Sequence, residues 1–167
     1  MSAVLRIPVG VVVERRKASS PWIDYTWRPV VVLAGEPAAS AWTLLEGDEE
    51  TARFYAGGTV LELHAGDASS YRDNLATGTP RLWVILRPTG GEPPLAVMRV
   101  TADGNEGESF TSAGDDIVDN VPMPESIGAA LDAFVTEHHV EQVFHKRQRD
   151  RVNLESLGRR RSSEGKE

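Results

Sequence analysis

Two valine-rich runs on either side of a charged, tryptophan-bearing connection constrain this chain more than any other feature. They lie within Val9–Leu33, VGVVVERRKASSPWIDYTWRPVVVL. Ile7, Val9, Val11 and Val13 recur with a period of two, the repeat that places alternate side chains on one face of a pleated strand. Val, Ile, Trp and Tyr suit such a surface, and Pro21 and Pro29 interrupt any helix. The pattern predicts strands over Val4–Glu14 and Tyr25–Leu33, turned at Ser19-Ser20-Pro21, with Pro29 at a bulge or a sheet edge.

The rest of the chain continues the β pattern and then changes period. Trp42–Leu45 followed by Glu46, Asp48, Glu49 and Glu50 reads as a surface loop. Thr51–Tyr55 and Thr59–His64 flank Ala56-Gly57-Gly58, which reads as a hairpin. Ala68–Ala76 is expected to form one or two helical turns, with Asp67 as N-cap and Gly78 after its end. Arg81–Leu86 and Leu95–Thr101 read as strands joined by the Gly- and Pro-rich segment Pro88–Pro94. Asp103–Asp116 reads as a mobile loop with a brief strand at Ser109–Thr111. From Pro122 the apolar period is near 3.6, through Ile127, Leu131, Phe134, Val135 and His138 and on to Val143 and Phe144, which predicts an amphipathic helix over about residues 124–151. The fold class expected is α+β: six or seven antiparallel strands in a bent sheet or partly open barrel, closed by a long C-terminal helix. Residues 1–157 then form one β-rich domain, and residues 158–167 a disordered basic tail.

Charge and composition narrow the function classes. The chain has 167 residues and a net charge of −7, but His145–Glu167 holds eight Lys or Arg against four Asp or Glu. That segment is net +4, so residues 1–144 carry −11. An acidic body of this kind argues against a nucleic-acid surface, which needs clustered cations. With no cysteine, disulfides, thiolate metal sites and thiol nucleophiles are excluded. No apolar run approaches the roughly 20 residues that span a bilayer, and the N-terminal run is broken by Arg6 and Pro8, so cytoplasmic residence is expected.

Several segments together resemble an uncharacterised proteobacterial family, a domain of unknown function. They are Glu14-Arg15-Arg16 with Trp22 and Trp27-Arg28-Pro29, Tyr71–Leu75, Trp83–Arg87, Val121–Glu125 and Phe144–Asp150. The likeness runs from about residue 7 to residue 151, although Asp103-Gly104-Asn105 stands where relatives tend to carry a proline and an aromatic. Genes of that family often lie beside those of formate-dehydrogenase-like molybdenum enzymes. The resemblance therefore implies an accessory role in that metabolism, and no mechanism.

No catalytic signature is present. His138, Glu141 and His145 fall on one face of the expected helix and have metal-ligand chemistry, but boundary histidines are the simpler reading. His64 and Asp67 pair as base and carboxylate with no nucleophile beside them, and a turn explains them. Trp22, Trp27 and Arg28 have the composition of an interface anchor, but core packing of both tryptophans is the simpler reading. Lys146, Arg147, Arg149 and Arg151 suit either the negative pole of a helix or an acidic partner. The leading expectation is a non-enzymatic adaptor without a cofactor, bound to a protein partner such as a molybdoenzyme subunit or its chaperone. The alternative is a small metal-dependent enzyme using His138, Glu141 and His145.

Overall fold

The computed structural model describes residues 3–112 and 114–138. Among these residues, seven strands form two antiparallel sheets: β1 (Val4–Lys17), β2 (Tyr25–Ala34), β3 (Thr43–Gly47) and β4 (Thr51–His64) in the order β2-β1-β4-β3, and β5 (Arg81–Pro88), β6 (Leu95–Thr101) and β7 (Ile117–Pro122) in the order β6-β5-β7. The valine repeat of β1 does what its period demands, because Val9, Val11 and Val13 are fully buried. Leu61 and Leu63 of β4 and Leu82, Val84 and Leu86 of β5 face the same core. β4 lies beside β6 and β2 beside β7, but no ladder joins them. The expected partly open barrel is thus two facing sheets with no closed barrel.

β1 pairs with β4 from Val4 opposite His64 to Arg16 opposite Thr51. This continuous ladder corrects the hairpin expected at Ala56-Gly57-Gly58. The strand does not turn there: the register slips between Val11 and Val12, leaving Ala56 as a bulge, and Gly57 adopts φ +124°. A glycine-bearing bulge and a glycine turn look alike in sequence, and the long partner strand decides between them. A second slip, opposite Val12 and Val13, falls beside Pro29 in the edge strand β2, as the proline rule requires.

The link from β2 to β3 must cross β1 and β4, because β2 and β3 lie on opposite edges of the sheet. Gly10 and Gly58 are paired where it crosses, and each lacks room for a Cβ. At Gly10 a Cβ would stand 2.9 Å from the Tyr55 ring and 3.1 Å from Pro37. Beyond the crossing, Trp42 takes φ 70° and the chain enters β3, a strand where a surface loop was expected. The acidic cluster makes the β3–β4 turn, in which the Asp48 carboxylate accepts the N–H groups of Glu50 and Thr51 at 2.9 and 3.2 Å.

The segment expected as a mobile loop, Asp103–Asp116, holds a short helix. α1 (Ala68–Ala76) lies where the sequence placed it, with Gly78 at φ +82° just past its end, though Asp67 gives it no side-chain cap. α2 (Gly104–Ser109) is capped by the Asp103 carboxylate, which accepts from Asn105 N–H at 3.0 Å, and a single 3-10 turn follows in place of the brief strand. The glycines of α2 serve packing, because Trp83 of β5 lies directly against Gly104 and Gly107. Strand β7 was not foreseen.

A final helix, α3, is described over residues 125–138, and the expected continuation to residue 151 and the basic tail lie outside the described residues. Its buried stripe is the predicted one, Ile127, Leu131, Phe134 and Val135. Phe134 meets Tyr71 of α1 at 6.2 Å between ring centroids, and the Tyr71 hydroxyl accepts the His64 N–H at 2.9 Å. Burial pushes the Tyr71 phenol up to about 12, so it stays protonated.

In a free helix, alanine would improve on glycine by about 1 kcal/mol. Gly107→Ala is expected to do the opposite, lowering stability by about 1–3 kcal/mol in urea melts because the new methyl meets Trp83.

Candidate functional site

The two faces of the β1 hairpin carry different chemistry. Arg15 continues the inward row of Val11 and Val13, at the end where the core opens. Its guanidinium sits 4.3 Å from the Tyr25 ring centre and 5.1 Å from that of Phe54. Trp27, Trp42 and Phe54 pack on one another with centroids 5.7–6.1 Å apart. Together with Asp24 and the Glu92-Pro93-Pro94 loop they line an open cleft of about 550 Å³. Buried Nε of Arg15 has no hydrogen-bond partner among the described residues. Stacked rings with one ordered cation suit an apolar or aromatic group of a partner.

The outward row carries Glu14 and Arg16. One rung of the ladder aligns Arg28 of β2, Glu14 of β1, Arg53 of β4 and Glu46 of β3, so opposite charges alternate across the whole sheet. The Glu14 side chain is only 5% exposed. Its Oε1 accepts from Arg16 Nη2 at 3.1 Å and from Arg28 Nε at 3.2 Å, and its Oε2 lies 3.5 Å from Arg53 Nε. Burial pushes this carboxyl up, but Arg28, Arg16 and Arg53 outweigh it and hold the group below its ordinary value.

Each candidate residue from the sequence finds a definite place or falls outside the described residues. Trp22 is 91% exposed, next to Ile23 at 55%, in the β1–β2 connection. Trp27 belongs to the aromatic cluster and Arg28 to the charged rung. The two tryptophans do not share a strand, since β2 begins at Tyr25. Lys146, Arg147, Arg149, Arg151, Glu141 and His145 lie outside the described residues. His138 is half-buried against the Phe134 ring at 4.4 Å, and among the described residues no group of three His, Asp or Glu is placed to hold a metal.

His64 ends β4, and Asp67 closes the 3-10 turn Ala65–Asp67 that leads into α1. Burial, with Asp103 and Glu106 adding to it, raises Asp67 against the opposing pull of His64. Sequence reading missed Glu14, Arg53, Trp42 and Phe54. A lone acid inside a valine strand was the available signal for Glu14; the others needed the register.

The chain is thus an antiparallel two-sheet domain with an aromatic cleft at its mouth and a charged outer face. The chain belongs to the DUF3305 family, described as a protein of unknown function, which matches residues 8–148. No curated protein and no solved structure matches the chain. No helix among the described residues is long and apolar enough to cross a membrane.

Two titrations test this electrostatic layout. A lowered folded pKa means that Glu14 contributes fully above its ordinary value of 4.5, and that the contribution is lost as pH falls below it. Between about pH 5 and 3, wild type should therefore lose more stability than Glu14→Gln in chemical denaturation, and parallel losses would refute the anchored carboxylate. Asp67 has the reverse sign: its raised pKa costs stability once pH exceeds the ordinary value of 3.8. Asp67→Asn should raise Tm at pH 7, with the gain shrinking toward acid pH.

Proposed function

We propose that this protein is a non-enzymatic accessory protein that works by protein–protein contact, in the assembly or operation of a formate-dehydrogenase-like molybdoenzyme. The observation that carries the contact reading is Trp22, the most exposed large apolar side chain among the described residues, with Ile23 beside it and the aromatic cleft adjoining at Asp24 and Tyr25. An indole left in water gains most when a partner covers it, and Trp is among the residues that dominate interface energetics. The metabolic context rests on the family resemblance alone. The cleft would receive an apolar or aromatic group of the partner beside Trp27 and Trp42.

Affinity purification of the tagged full chain from its native cell, with identification of what co-purifies, tests the proposal. A molybdoenzyme subunit or its chaperone is the expected partner. Trp22→Ala should reduce recovery of that partner by about 30-fold, as for a hot-spot residue worth about 2 kcal/mol. Its Tm should stay near wild type, because changes at exposed positions cost within about 0.5 kcal/mol. Equal recovery with Trp22→Ala would remove the tryptophan from the contact surface.

A further inference from the structure

Neutralising one buried carboxylate takes one guanidinium, yet Glu14 has three. Arg28 meets the requirement alone, with Nε and Nη2 each 3.2 Å from Oε1. Arg16 and Arg53 are in excess, and among the described residues the only other acid paired with the cluster is Glu46, whose 69% exposed carboxylate lies 3.8 Å from Arg53. Positive charge therefore remains on the outer face of a chain that is net −7.

The orientation of that excess matters more than its amount. Each guanidinium carries five N–H donors in a rigid fork. Glu14 engages Nη2 of Arg16, Nε and Nη2 of Arg28, and Nε of Arg53. The remaining donors of these three side chains have no acceptor among the described residues, and the side chains are 60%, 55% and 40% exposed. Long side chains usually lose much freedom on binding an anion, but here one end of each fork is already fixed.

We infer that Arg16, Arg28 and Arg53 form a carboxylate receptor, held in place by Glu14, that takes an acidic segment of a partner protein. Guanidinium and carboxylate match in planar, two-point hydrogen bonding. A polyphosphate is disfavoured because it would extend onto a body whose residues 1–144 carry −11, whereas a short acidic segment need touch only this patch. The Glu14–Arg28 rung lies on the same hairpin as Trp22, three rungs from the closing pair Lys17–Tyr25, so one partner can cover both. That last point rests on the contact reading above; the receptor chemistry does not.

The test is titration of the full chain with a labelled hexaglutamate peptide, followed by fluorescence anisotropy. Saturable binding that weakens with salt is expected, since exposed charge pairs are screened beyond about 8 Å at physiological ionic strength. Arg16→Gln and Arg53→Gln should each weaken binding about tenfold, and Arg28→Lys, which keeps the charge but loses the fork, should weaken it as well. Arg6→Gln, at the far end of β1, should leave it unchanged, and thermal melts of Arg16→Gln, Arg53→Gln and Arg6→Gln should stay near wild type. Absence of saturation, equal weakening by Arg6→Gln, or competition by inorganic phosphate as effective as unlabelled hexaglutamate would overturn the inference. Trp22→Ala should keep full hexaglutamate binding, so failure of the tryptophan contact and failure of the arginine receptor are read separately.

Discussion

Pairing of β1 with β4 over nearly their whole length is the constraint on which the rest of the structure depends. A ladder from Val4–His64 to Arg16–Thr51 fixes which side chains face the core on two strands at once. A slip of one residue would take Val9, Val11 and Val13 out of the core between the sheets and put Glu14 into it, so the hydrophobic effect holds the register firmly. The two bulges adjust this register locally without breaking it, one at Ala56 and one beside Pro29. Every other element takes its position from this pair: β2 and β3 on either side, the crossing link over Gly10 and Gly58, and the second sheet against the valines.

The same ladder divides the chemistry of the surface. Odd positions of β1 run from the core into Arg15 and the aromatic cleft, while Glu14 anchors the charged rung on the outside and Arg16 reaches it from two residues on. Both faces reach the end of the hairpin where Trp22 is presented. Apolar and ionic groups thus lie next to each other at one end of the hairpin. The cations there are ordered by packing and by Glu14, which distinguishes them from freely moving surface arginines.

Parts of this architecture were legible in the chain and parts were not. The valine period, β2 with its edge proline, α1 with Gly78 beyond it, β6 to the residue, and the buried stripe of α3 all follow from local pattern. Errors cluster where local pattern is ambiguous. Gly57-Gly58 serves a bulge as readily as a turn. Asp103–Ser109 has the composition of a loop, yet becomes a capped helix because Trp83 needs the glycines beneath its ring. The short strands β3 and β7 have weak periods and exist because a neighbouring edge offers them hydrogen bonds. In the same way, the exposed Trp22 and the membership of Arg28 in an ionic rung depend on partners distant in sequence.

What the sequence by itself determined is the alternation that makes β1 two-faced, the absence of thiol chemistry, and the apolar stripe of the last helix. These depend on residue type and spacing within a few positions, where sterics and burial act directly. Only the tertiary structure decided that Glu14 would meet Arg28 and Arg53, that Trp42 and Phe54 would join Trp27, and that the glycines at 57 and 58 would bend a strand and leave it unbroken. Cross-strand register makes those decisions, and register is settled by the whole core at once, so no local stretch of residues contains it.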